Sequence, residues 1–399
     1  MKLNNKIAII LYALILAGMI TGCSEPTGSY WDAPLGIETP TGSQTTAAPT
    51  QAPAATGDMG QDGHLQGIDY DAAFAAFAPD TAMILVSGFT VTWAELFFHM
   101  RGNINNLIQM YGDLPEWSEL MYNGMTCAEA VIKYSVDNTL MYKAVEYGAG
   151  LVGAVLSAED LETLIDSFND AAAQYSGEEE FLRLLWEEDG LYGRDLYDYL
   201  VGVSYLASTL YSEMFGEYGE LMSDEDAEEV TASEGYLMAK HILRLKTEDG
   251  DETPLRVAED LIVQLDSYDG DDFEAFFDIL MHNYSEDDDG LIAFPNGYLF
   301  QYGDMVPEFY DACIALEIGQ HSGIVETTYG YHILLRVPIN FDEIPSYNYR
   351  QYDFRTLRHL AALSQFDNAL FAWVDSFEPE FTAEFDSIDV AAIFVHSGQ

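Results

Sequence analysis

Positive charge is what this 399-residue chain has least of: 15 Lys and Arg face 68 Asp and Glu, a formal net charge of −53 at pH 7. Nucleic acid is thereby excluded as a partner, because binding it needs a basic footprint that displaces counterions from phosphate. Electrostatic attachment to anionic lipid is excluded on the same ground. Cysteine is almost as scarce, with only Cys23, Cys127 and Cys313. No disulfide framework is indicated, and Cys127 and Cys313 read as buried free thiols inside helical patterns. Zinc spacing, a phosphate loop and a Ser-His-Asp frame are all missing, so no cofactor and no metal are expected. A partial calcium-loop match at Asp287-x-Asp289-Gly290 is poor, because its twelfth position holds Asn296 rather than glutamate.

What is present starts at the N-terminus. Lys2 and Lys6 precede an apolar run from Ile7 to Ile20. That is an export-signal pattern, shorter than the ~20 residues a spanning helix needs. Ile20-Thr21-Gly22-Cys23 resembles a bacterial lipobox, which implies cleavage before Cys23 and lipidation of Cys23. Removing residues 1–22 deletes two lysines and no acids, so the mature chain carries −55. Residues 23–78 are the lipidated cysteine and a Ser/Thr/Gly/Pro/Ala/Gln-rich tether, unable to bury enough surface to offset ordering entropy. Acyl chains on Cys23 supply a stable anchor, which places the protein on the outer face of the bacterial cytoplasmic membrane. The acidity reads as solubility outside the cell; weak capture of Ca²⁺ or of cationic unfolded clients is the sharper account.

The remainder is long enough for one large core or two ordinary ones. Ala82 to Val86, a Ser87-Gly88 turn and Phe89 to Val91 predict a small hairpin. Thr92-x-x-Glu95, Thr126-x-x-Glu129 and Ser157-x-x-Asp160 then mark helix starts. With helices expected over 176–186 and 194–215, residues 79–233 form an all-helical domain. At Glu234 the pattern changes. Leu237 to Leu245 reads as a strand, and helices follow Thr253-Pro254 and Asp272. A turn-rich stretch covers 285–297, a short helix 306–315, and strands lie near 324–326 and 331–337. Residues 234–340 are therefore an α+β unit, a small antiparallel sheet with surrounding helices. Residues 341–399 hold a helix over 349–377 and a strand over 388–395, and pack back on the helical domain. The α+β unit is thus an insertion.

Two runs speak to chemistry. Met238-Ala239-Lys240-His241-Ile242-Leu243 and Thr327-Thr328-Tyr329-Gly330-Tyr331-His332-Ile333-Leu334 are short apolar strands, each with one imidazole. Between them lie Asn283-Tyr284-Ser285-Glu286-Asp287, Gly297-Tyr298-Leu299-Phe300, and Gly303-x-Met305-Val306-Pro307-x-Phe309. In this order the elements resemble the parvulin, or PpiC-type, peptidyl-prolyl isomerases, over about 235–338. The helical part and the position of the insert resemble the extracytoplasmic foldase lipoproteins of the PrsA and SurA type.

That resemblance implies a site and an activity. His241, Asp287, Thr327 and His332 are the expected catalytic residues, with Asp287 polarising the amide rather than attacking it. Leu299, Phe300, Met305 and Phe309 are the expected walls and floor of a pocket for the proline ring. The implied partners are unfolded or partly folded exported polypeptides containing X-Pro bonds, and the implied function is to assist their folding. The alternative is a non-catalytic holdase that keeps the parvulin shape. An acidic loop at 247–252 argues against phosphorylated substrates. His64, His99, His282, His321, His359 and His396 show no partner pattern and read as structural.

Overall fold

The computed structural model describes residues 67–121, 124–247 and 251–395. The signal segment, Cys23 and most of the 23–78 tether lie outside the described residues. The chain divides into two compact units, one running to Glu213 and resuming at Asp367, the other Met214–Phe366.

The first unit begins with helix α1 (Tyr70–Phe74) and a hairpin of β1 (Ala82–Val86) and β2 (Phe89–Thr92). Ser87 and Gly88 turn it with φ of 49° and 89°, the paired positive angles that suit strand twist in a two-residue loop. Helices α2 (Trp93–Tyr111), α3 (Cys127–Val152), α4 (Ala158–Ala173), α5 (Glu178–Asp189) and α6 (Gly193–Phe215) follow. The capping boxes at Thr92, Thr126 and Ser157 all form, each hydroxyl accepting from the N3 amide while the N3 carboxylate returns to the cap. Such caps contribute about 1 kcal/mol each. Lys143 is buried in the α2–α3 packing, where its Nζ lies 3.1 Å from Glu95 and 2.7 Å from the Tyr199 hydroxyl.

The second unit holds α7 (Asp224–Thr231), β3 (Leu237–Leu245), α8 (Thr253–Asp266), α9 (Phe273–Tyr284) and α10 (Asp288–Ala293). It continues with β4 (Tyr298–Phe300), α11 (Pro307–Ile314), β5 (Val325–Glu326), β6 (Gly330–Val337) and α12 (Ser346–Arg350). Its antiparallel sheet has the order β4-β3-β6-β5. Successive strand residues face opposite sides. Leu237, Ala239, Phe300 and Leu334 therefore share one face, packed with Phe309 and Cys313 of α11. Helices α8 and α9 cover the strands as well.

The last stretch comprises α13 (Leu357–Ser376), β7 (Glu380–Phe381), α14 (Ala383–Asp386) and α15 (Val390–Ile393). Strand β7 pairs with β1, with Ile84 opposite Phe381, and Phe394 stacks on Phe97 at 5.5 Å.

Three sequence expectations are corrected. The strand expected over 388–395 is the helix α15, because the Asp389 carboxylate accepts the Ala392 amide and nucleates a turn. The helix expected over 349–377 is broken into α12 and α13. At the break Tyr352 has φ of 58°, and the Asp353 carboxylate binds both Asn348 and Arg355. The stretch 285–297, read as turns, contains α10, whose N-cap is Asp287.

Candidate active site

Antiparallel pairing sets Leu243 opposite His332 and His241 opposite Leu334. Directly opposed residues share a face, so the two imidazoles are diagonal neighbours on the face shared by Ala239 and Phe300. Their Nδ1 atoms are 3.1 Å apart and the rings lie nearly parallel, at 18°. Beyond His241, its Nε2 is 2.8 Å from Asp287 Oδ2, which also accepts the Tyr298 hydroxyl at 2.7 Å. At the other end His332 Nε2 meets Thr327 Oγ1 at 2.9 Å. Five side chains thus make one unbroken row: Tyr298, Asp287, His241, His332, Thr327.

The direction of the row follows from counting donors and acceptors. Thr327 Oγ1 already accepts the amides of Tyr329 at 3.1 Å and Gly330 at 3.4 Å. Its lone pairs are used, so its hydrogen goes to His332 Nε2. His332 then carries its proton on Nδ1 and donates to His241 Nδ1. His241 carries its proton on Nε2 and donates to Asp287. Every hydrogen bond in the row then points toward one carboxylate.

Electrostatics agree with that order. Burial, then the neighbouring His241, push His332 down to about 3, so it stays uncharged. Asp287 is held down to about 2, first by the hydrogen bond from His241 and against the opposing effect of burial, with Tyr298 adding to it. Burial and the Asp287 carboxylate push the Tyr298 phenol up, keeping it a donor.

Two glycines permit this geometry by lacking a side chain. A Cβ on Gly290 would lie 2.0 Å from the Tyr298 hydroxyl and 2.2 Å from Asp287 Oδ2. A Cβ on Gly330 would lie 2.2 Å from the Arg244 carbonyl, so β6 could not enter against β3. The turn into β6 is also held from outside, because Lys246 Nζ donates to the Thr327 carbonyl at 2.8 Å.

Beneath the row lies apolar surface. The Phe309 ring sits edge-on to both imidazoles, at 5.4 Å from His241 and 5.6 Å from His332, and is only 3 % exposed. Phe300 packs under it at 5.6 Å. Met305 packs partly buried against the same cluster but precedes α11, in the turn after Gly303, rather than standing on the helix.

Of the residues singled out in the sequence, His241, Asp287, Thr327, His332, Phe300, Met305 and Phe309 come together. Leu299 does not. It is fully buried on the opposite face, across from Met238, and its carbonyl accepts the Ser346 hydroxyl. Tyr298 is the member that sequence reasoning missed. Period-two alternation from Phe300 pointed to it, since 298 and 300 must share a face.

Residues 241–337 match the family model described as "Rotamase: PPIC-type PPIASE domain". The chain is 40% identical over 79 residues to the foldase protein PrsA of Halalkalibacterium halodurans. The match covers 20% of this chain and 22% of that protein, so the chain spans about a fifth of that relative's length. Among solved structures it is similar to a peptidylprolyl isomerase (PrsA) from Bacillus anthracis, at 18% identity and a TM-score of 0.23, over 60% of this chain and 96% of that one. PrsA from Bacillus subtilis gives 17% identity and a TM-score of 0.24, over 78% and 94%. One of two SurA-like chaperones of Campylobacter jejuni gives 19% and 0.21, over 67% and 100%. Residues 241–337 of this chain are a rotamase domain of the PPIC type.

Proposed function

We propose that this chain is a membrane-anchored, extracytoplasmic peptidyl-prolyl cis-trans isomerase that assists the folding of exported polypeptides. The observation that carries the reading is the row of paired imidazoles ending on Asp287 above Phe309. Rotation about an X-Pro bond crosses a barrier of about 20 kcal/mol, which comes from C–N double-bond character. That character requires negative charge on the carbonyl oxygen. A carboxylate held ionised beside that oxygen disfavours the resonance form and weakens the bond's resistance to twisting.

The apolar floor does the second part. Met305 and Phe309 grip the pyrrolidine ring away from water, so the preceding carbonyl turns while the ring stays fixed. His241, His332 and Thr327 position Asp287 and set its hydrogen-bond load. No covalent step is required. Export and lipidation at Cys23 rest on the sequence pattern, and labelling with a fatty acid that fails in a Cys23→Ser variant tests them.

The activity is tested by the cis-to-trans rate of a prolyl tetrapeptide. The wild-type chain is expected to accelerate it, and His241→Ala, shown folded by circular dichroism, to lose at least tenfold. A wild-type rate equal to the uncatalysed one and unchanged by His241→Ala would end the enzyme reading and leave a holdase.

A further inference from the structure

Helix α4 is amphipathic, yet the N-terminal half of its apolar stripe stays partly open to solvent. Leu161, Leu164, Ile165, Phe168 and Ala172 recur at helical spacing. Phe168 and Ala172 are buried, Phe168 against Phe181 at 5.4 Å and Tyr197 at 4.9 Å. Leu161 and Ile165 stay 49% and 53% exposed. The surrounding charge has one sign. From Ala144 to Leu182 the sequence has no Lys, Arg or His, while Glu162, Asp166 and Asp170 stand exposed on the same helix. Two arginines that follow in the sequence are engaged: Arg194 covers the Phe168 ring and binds Asp198, and Arg183 binds Glu180 and Glu187.

We propose that the N-terminal half of α4 docks cationic amphipathic segments of unfolded polypeptide. Apolar side chains of such a segment cover Leu161, Leu164 and Ile165, and its Lys or Arg side chains meet the flanking carboxylates. An acidic segment with the same apolar residues is repelled. The inference rests on the reading that this chain handles unfolded polypeptides, but not on prolyl chemistry.

The test titrates the full chain into two labelled peptides with the same apolar residues, one otherwise lysine-rich and one glutamate-rich, read by fluorescence anisotropy. The lysine peptide is expected to bind at least tenfold tighter at about 50 mM salt, with the preference shrinking at about 300 mM as screening shortens. A Leu161→Ser, Ile165→Ser double variant should weaken it at least tenfold, and Glu162→Lys with Asp166→Lys should reverse the preference. These side chains are exposed, so melting temperature and tetrapeptide isomerisation should not move. Equal binding of both peptides, or indifference to both double variants, would overturn the proposal. So would a self-association lost in the serine variant while peptide affinity stays unchanged, because the face would then belong to a second copy. Failure of the isomerase reading appears only in the tetrapeptide assay, so the two failures are distinguishable.

Discussion

Asp287 carries three duties through two oxygens. Its Oδ1 caps α10 at Gly290, and its Oδ2 accepts His241 and Tyr298. Asp287→Asn keeps an acceptor for the imidazole and removes the charge. It is therefore expected to lower kcat/KM about tenfold, ~1.4 kcal/mol of transition-state stabilisation, with little change in KM. An unchanged kcat/KM would contradict an electrostatic role. The sequence made most of this site legible because its residues are of unusual type in their surroundings. Two lone imidazoles in apolar strands and a methionine–phenylalanine pair around Val306-Pro307 are visible without coordinates. Tyr298 was not, because a tyrosine beside Leu299 and Phe300 looks like packing until the third dimension shows its hydroxyl on a carboxylate.

At the scale of elements, strand alternation decides which residues reach the site. Leu299 and Phe300 are both fully buried, yet only Phe300 lies in the cluster beneath the imidazoles. Leu299→Ala is expected to cost roughly 2–5 kcal/mol of stability, read as a lower denaturation midpoint, with kcat of the folded fraction unchanged. A selective fall in kcat would return Leu299 to the pocket. Elements fixed by local chemistry were readable in advance: the three capping boxes and the Ser87-Gly88 hairpin have signals within four residues. Elements fixed by distant packing were not. The α15 run looks like a strand by composition, but Asp389 starts a helical turn that ends with Phe394 on Phe97. The break before α13 likewise depends on Asp353 pairing with Asn348 and Arg355.

At the scale of the whole molecule, the acidity meets burial at several carboxyls, Asp189 and Asp367 among them. Asp189 and Asp367 are each pushed up to about 6 by loss of solvent, Asp189 against the pull of Arg101. A carboxyl whose folded value lies above its ordinary 3.8 adds stability at low pH that disappears as pH rises through about 6. Asp367→Asn is accordingly expected to raise the melting temperature by about 2 °C at pH 7.5, and by little at pH 4. An equal gain at both pH values would contradict the cause given. His332 acts in the opposite sense. Its folded value lies below the ordinary 6.5, so stability present above 6.5 drains away as pH falls toward 3. The most direct measurement is therefore ¹⁵N NMR of the imidazoles in the full chain, followed from pH 8 to 5. The one-way row predicts His332 protonated on Nδ1 and His241 on Nε2, with His332 neutral throughout. A charged His332 in that range, or the reverse pair of tautomers, would contradict it.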